Sequence, residues 1–513
     1  MSDQHTINNK RIAKNTLVLY LRMMFLMVIS LYTSRVVLQA LGVEDFGTYN
    51  VVGGFVILFS VLSKSLSSAA SRFFNYAMGK GNKSKLDTIF SSTVFIHWFM
   101  AFIILIIAEI VGVWFVNNKM VIAPDRLHAA NWVFQFSLLT FCFNLVTVPY
   151  NAAIIAHEKM SAFAYISIFE GIGKLLICYL VMAVHADRLI FYAFLCSLVQ
   201  IIIKAIYQWY CRKHFEECRV HFVYDKNILK DILSFAGWNM IGSSSAVLRN
   251  QGGNILINLF GGPVVNAARA VANQVLHTVH SFVDNFFTAL KPQITKSYAS
   301  GDFDYMMALI YQGCRLSYYM LLVLCLPVLA STDFLLHLWL KNVPDHSVHF
   351  VQLTLVFTMI ESISTPLITA QQATGKIRNY QLVVGGLQLM NLPVSYILLK
   401  AGGVPETILY VAIFFAICCL CARLYMLRNN IRLKVLHFIK NVLLNLFIVS
   451  ICAAVIPFAL THSLQDNLSS FFLITIVCII CSAFSILYIG CKKAERQFVY
   501  GKALQIKRRF CKW

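Results

Sequence analysis

The chain of 513 residues is 59% hydrophobic and 13% charged, with a mean hydropathy of +0.70. A soluble globular protein is about half apolar and about a quarter charged, and a disordered chain is less apolar still, so both classes are excluded. The 43 basic residues against 22 acidic give +21, which in a soluble protein would suggest nucleic acid.

Residues 1–14 are polar and lack the apolar core of a cleavable signal peptide. From there fourteen segments read as α-helical membrane spans. They lie near 16–38, 47–70, 89–116, 128–152, 160–184, 189–211, 229–259, 264–290, 306–330, 348–371, 380–399, 404–427, 436–460 and 468–490. Each can cross about 30 Å of hydrocarbon as a helix. The runs are continuous, not alternating in ten-residue strands, which favours an all-α polytopic bundle over a barrel.

With the N-terminus inside, thirty of the 43 basic residues fall on one face, from Lys10, Arg11 and Lys14 to the tail beyond Lys492. The opposite face holds five: Lys119, Arg126, Arg188, Lys341 and Lys400. That asymmetry predicts cytoplasmic termini and makes most of the net charge a topology signal. The basic tail is expected to rest on anionic lipid, with no nucleic-acid partner. No cysteine lies in an expected outer loop, so the cysteines read as packing residues.

Three stretches recur at a nearly constant offset. Tyr76-Ala-Met-Gly-Lys-Gly-Asn82 is similar to Tyr298-Ala-Ser-Gly-Asp-Phe-Asp304, Leu41-Gly42 to Phe260-Gly261, and Thr147-Val-Pro149 to Thr365-Pro366. Their order predicts duplication of a six-helix unit, with both copies in the same orientation because six is even. The expected organisation is a first half at 1–226, a second at 227–430, and a C-terminal helix pair with its basic tail at 431–513. A substrate would lie between paired halves that rock to alternate access.

Ionisable groups at membrane depth are costly and are functional candidates by default. Eight are cationic: Arg22, Arg35, Lys64, Lys174, Lys204, Arg249, Arg269 and Arg315. Four are acidic: Glu109, Glu170, Asp284 and Glu361. Glu170 and Lys174 are spaced to pair on one helix face, and Lys64, Lys204 and Arg315 are near enough to helix ends to snorkel. Arg22, Arg35, Arg249 and Arg269 have no evident local partner. They are the candidate anion-binding residues, since guanidinium matches phosphate oxygens bidentately. The polar run from Gly237 through Arg249 to Asn254 should line water or pack on protein.

His277, His280 and Asp284 lie on one face of the eighth span. They read either as a polar cavity face or as a proton relay that couples transport to a gradient. No further metal-type ligands accompany them, and neither a metal nor another cofactor is expected. No enzyme motif is evident, and the absence of a P-loop argues against an ATP-driven pump.

Leu41-Gly42-Val43-Glu44-Asp45-Phe46-Gly47-Thr48-Tyr49 resembles the signature loop of polysaccharide repeat-unit flippases, members of the multidrug/oligosaccharidyl-lipid/polysaccharide exporter superfamily. Lys291-Pro292-Gln293-Ile294-Thr295-Lys296-Ser297-Tyr298-Ala299-Ser300-Gly301 is similar to the corresponding second-half motif of bacterial oligosaccharide exporters. The resemblance implies an inner-membrane flippase, not an enzyme, that moves undecaprenyl-diphosphate-linked oligosaccharide to the outer leaflet for O-antigen, lipopolysaccharide, capsule or exopolysaccharide biosynthesis. Its implied partners are that polyprenyl-linked cargo, membrane lipids, a polysaccharide polymerase and glycosyltransferases. Related lipid II flippases keep cavity arginines on their first and eighth helices, where Arg22 or Arg35 and Arg269 fall here. The alternative within the superfamily is a multidrug or cation-coupled exporter. Such relatives often need a first-helix carboxylate, and residues 16–38 contain none.

Overall fold

The computed structural model describes residues 2–57, 59–118, 120, 122, 124–184, 187–219, 225–340, 343–461, 467–492 and 495–497. Most of the basic tail, with Lys119 and Lys341, lies outside the described residues. Regular structure among the described residues is helical: α1 (Ser2–Ile57), α2 (Ser60–Gly79), α3 (Lys83–Asn118), α4 (Leu127–Ala156), α5 (Met160–Ala183), α6 (Arg188–His214), α7 (Lys226–Ser300) and α8 (Phe303–Ala330). It continues with α9 (Thr332–Leu340), α10 (Ser347–Thr374), α11 (Arg378–Leu389), α12 (Asn391–Lys400), α13 (Thr407–Ile431), α14 (Val435–Phe438), α15 (Leu444–Thr461) and α16 (Leu468–Ser485).

Eleven helical stretches among the described residues are long and apolar enough to cross a membrane. They match expected spans, including the last pair at Val435–Thr461 and Leu468–Gly490. The expected spans at 47–70, 229–259 and 264–290 are helical but are not among the eleven. The first is interrupted at Phe59, and the other two carry the polar residues of α7.

Two helices bend where the sequence predicts loops between spans. α1 bends at Gly42 (φ 80°, ψ 170°) and α7 at Gly262 (φ 73°, ψ −173°), a region essentially reserved for glycine. The bend in α7 is therefore at Gly262, one residue beyond the expected Phe260-Gly261, and lies 220 positions after Gly42. Gly81 and Gly301, which follow α2 and α7, both have positive φ and are also 220 apart. Pro149 and Pro366 lie inside α4 and α10. α7 also runs on to Ser300, so Lys291 and Lys296 are helical and not in a loop.

The chain divides into two compact units. The first comprises Met1–Ser244, Thr288–Tyr305 and Gly375–Gln381. Within it α4 packs against α2, α3 and α6, and α1 packs along α5. Helices cannot be driven together by hydrophobicity in lipid, so small residues that allow close approach matter most. Ala69, Ala70, Ala130, Ala153 and Ala156 are accordingly buried in the packed core. On α3, Phe95, Trp98, Phe99, Phe102, Ile106 and Ile110 form an exposed apolar stripe of the kind lipid covers.

The second unit comprises Ser245–Phe287, Met306–Thr374 and Leu382–Trp513. α10 packs on α13, and α15 on α16. Arg315 is buried here and does not snorkel: it donates to the Gly490 carbonyl at 3.2 Å and pairs with Glu495 at 2.5 Å. Arg423 is also buried and donates to Ser364 Oγ at 2.9 Å.

Candidate functional site

Helical periodicity in the first unit places polar side chains around a cavity of about 810 Å³, within the range of about 300–1,000 Å³ usual for ligand pockets. α1 contributes Arg22, Ser30 and Thr33; α4 contributes Asn144, Thr147 and Asn151 at i, i+3 and i+7. α5 adds Phe163, Ser167, Glu170 and Lys174, and α6 adds Tyr192, Gln200 and Tyr207. Pro149 lies between the α4 side chains and removes one helical hydrogen bond there.

Arg22 lies with its guanidinium 4.4 Å from the centroid of Phe163, and Nη1 donates to Ser167 Oγ at 3.4 Å. Its Nε is buried without a protein partner. Lys174 and Glu170 pair at 2.6 Å, as their spacing predicts. Arg35 projects elsewhere: thirteen positions after Arg22 it is rotated by about 220°, is exposed, and does not line the cavity.

The loop-like motif at Leu41–Tyr49 has a structural account. Gly42 supplies the bend, and Phe46 and Tyr49 on the following limb line the cavity. Asp45, just before Phe46, receives Arg126 Nε at 2.8 Å, while Arg126 Nη1 reaches Asp187 at 2.8 Å. Asp187 also caps α6 by accepting from the Leu189 and Ile190 amides. Arg126 therefore ties the α1 bend to the starts of α4 and α6.

A second clamp lies at the opposite end of α4. Glu158, with positive φ (58°) in the α4–α5 turn, has a side chain only 1% exposed. Its carboxylate receives Arg11 Nε at 2.6 Å, Lys296 Nζ at 2.6 Å and Gln293 Nε2 at 2.7 Å. Burial lowers the Lys296 ammonium's pKa, while the adjacent Glu158 opposes that shift. Gln293 and Lys296 belong to the second motif, and Ala299 of the same motif packs where α2 presents Gly79. Both motifs thus fasten the unit that contains the cavity.

Arg249 and Arg269 lie in the second unit, where each has a partner that spacing alone did not show. Arg249 is 3.5 Å from Glu361 and lies over Phe357, 5.0 Å from the ring centroid. Arg269 is buried and donates through Nε to Asn254 Oδ1 at 2.8 Å. The two line one small cavity of about 30 Å³, which is room for one water. In the His277, His280 and Asp284 stripe, His280 Nδ1 is 3.6 Å from Asp284 and both histidines are at least partly exposed. Among the described residues no group of three or more His, Cys, Asp or Glu is placed to hold a metal.

Residues 12–298 match the family model described as polysaccharide biosynthesis protein. The chain belongs to this family. A relative in Bacillus subtilis (strain 168), the membrane protein EpsK, is 21% identical over 295 residues. That match covers 56% of this chain and 57% of EpsK. Solved structures share the fold at lower identity. An outward-facing multidrug resistance MATE family transporter of the MOP superfamily has a TM-score of 0.73 at 12% identity, covering 83% of this chain and 96% of that one. The Vibrio cholerae MATE transporter VcmN gives 0.69 at 15% identity, covering 84% and 99%. A MOP superfamily transporter from Pyrococcus furiosus gives 0.68 at 11%, covering 83% and 96%. The chain is a multi-pass membrane protein of the polysaccharide biosynthesis family with a MATE-like fold.

The amide stripe of α4 and the tyrosines of α6 were missed in the sequence because such residues pass individually as ordinary helix content. Only counting them at i, i+3 and i+7 against Arg22 would have shown a shared face. Glu158 carried no local signal: its partners lie 147, 135 and 138 positions away.

Proposed function

We propose that this protein is a flippase that moves polyprenyl-diphosphate-linked oligosaccharide repeat units across the bacterial inner membrane, supplying O-antigen, capsule or exopolysaccharide assembly. The observation that carries this reading is Arg22. It lines a large cavity of mixed polar and apolar lining in a member of the polysaccharide biosynthesis family and keeps a buried Nε without a protein partner. A hydroxyl or acidic group on the cargo's saccharide meets such a donor favourably. Arg249 and Arg269 are proposed as the cations for the diphosphate, reached when Glu361 and Asn254 exchange for phosphate oxygens. Arg35 is proposed at most as an entry contact, and His277, His280 and Asp284 as the coupling relay.

The proposed frame is fourteen spans, two six-helix repeats at 1–226 and 227–430, an added pair from 431, and both termini in the cytoplasm. The paired glycine bends and caps 220 residues apart support duplication. A cation exporter is the less favoured reading, because the one acid among the described residues lining the first-unit cavity, Glu170, is paired with Lys174 at 2.6 Å.

Deletion in a polysaccharide-producing host tests the reading. Cargo should accumulate on the cytoplasmic leaflet and surface polysaccharide should fall, with both restored by the unaltered gene. Normal polysaccharide combined with sensitivity to cationic drugs would instead identify the exporter.

A further inference from the structure

The lining of the first-unit cavity indicates which part of the cargo it receives. Among the described residues that line it, three carry a buried side-chain atom with no protein partner: Arg22 Nε, Thr33 Oγ1 and Asn151 Oδ1. The first is a donor, the second donates and accepts, and the third is an acceptor. A hydroxylated ring matches that set, since every hydroxyl both donates and accepts. A fully ionised phosphate offers acceptors alone and would leave Asn151 Oδ1 buried beside negative charge, at a desolvation cost.

The remaining wall agrees with a sugar. Asn144 and the buried Gln200 add amide groups, and Tyr49, Tyr192 and Tyr207 add rings with polar ends. Tyr49 and Tyr192 meet edge to face with centroids 5.0 Å apart, so both rings are held by each other. Aromatic bodies can cover the apolar face of a pyranose while amides address its rim. The local charge is also small, because Glu170 pairs with Lys174 at 2.6 Å and leaves an excess of one cation among the described residues that line the cavity.

We infer that this cavity is a saccharide-recognition subsite, binding the sugar end of the cargo and tolerating at most one acidic sugar group at Arg22. The inference rests on the flippase reading and assigns the lipid-linked diphosphate elsewhere. About 810 Å³ is enough for more than a single ring, so specificity would be set by the first residues of the repeat unit.

Native mass spectrometry on the purified full-length protein in nanodiscs tests this. The ligands are the glycolipid pool extracted from cells lacking the protein, sugar-free polyprenyl diphosphate, and the free oligosaccharide released from the same pool. The glycolipid should bind more tightly than sugar-free polyprenyl diphosphate, and free oligosaccharide should compete with it. Asn151→Ala and Gln200→Ala should each weaken glycolipid binding about tenfold, as loss of one hydrogen bond predicts, while leaving sugar-free polyprenyl diphosphate unchanged. Equal binding of the two lipids, or indifference to both substitutions in protein that remains monodisperse, overturns the inference alone. No binding of the glycolipid by the unaltered protein overturns the flippase reading as well.

Discussion

Lys296 near the end of α7 donates to Glu158 in the α4–α5 turn at 2.6 Å, joining residues 138 positions apart. Arg11 from α1 reaches the same carboxylate at 2.6 Å, so three elements of the first unit converge on one buried acid. Glu158→Gln removes the charge and leaves Lys296 facing an amide. Breaking a buried pair from one side costs about 3–5 kcal/mol. The expected loss is at the lower end, because Arg11 is 44% exposed and Lys296 keeps the Ala156 carbonyl at 2.5 Å. Thermal unfolding in detergent checks this, and Glu158→Gln with Lys296→Met should be closer to the unaltered protein than Glu158→Gln alone. Strict additivity of the two substitutions would deny the coupling.

The glycine bends give a purely backbone prediction. A Cβ at Gly42 or Gly262 would meet nothing within 4 Å, so space does not oppose alanine. The dihedrals do: alanine at either position should cost about 1–3 kcal/mol. Matching losses of thermal stability in Gly42→Ala and Gly262→Ala would fit equivalent bends. A neutral result at either site would show that its bend is not required.

Gly79 makes the opposite case, since its added Cβ would lie 2.6 Å from the Lys296 carbonyl oxygen and 2.7 Å from Ala299 Cβ. Backbone cannot step aside cheaply, and overpacking of this kind costs about 1–3 kcal/mol. Gly53→Ala is the control, with nothing within 4 Å, and should be neutral or stabilising. Midpoints of thermal unfolding should fall for Gly79→Ala only; an equal response would remove the contact from the account.

Arg126 bridges Asp45 and Asp187, and lysine cannot reproduce that fork. Arg126→Lys should lose about 1–2 kcal/mol of stability, a modest figure because all three side chains are partly exposed. High salt should narrow the difference from the unaltered protein. A loss independent of salt would point to packing by the arginine stem instead.

The all-helical class and the eleven apolar spans were legible because long hydrophobic runs are a local property of the chain. The i,i+4 pair of Glu170 and Lys174 was legible for the same reason. Arg249 and Arg269 looked unpartnered because Glu361 lies 112 positions beyond Arg249 and Asn254 lies across the bend in α7 from Arg269. Arg315 looked like a snorkelling residue, yet its partner Glu495 follows the last helix. Non-local pairing is set by packing, which no window of sequence contains.

The central claim is that Arg22 addresses a lipid-linked saccharide during its movement across the bilayer. Transbilayer movement of a fluorescently tagged polyprenyl-diphosphate oligosaccharide in proteoliposomes, read by protection from an impermeant quencher, measures it directly. The unaltered protein should equilibrate the label between leaflets, and Arg22→Ala should slow it by about 10- to 100-fold, the loss of one charge-assisted hydrogen bond. Movement no faster than in protein-free vesicles, or an unchanged rate in Arg22→Ala, would contradict the account.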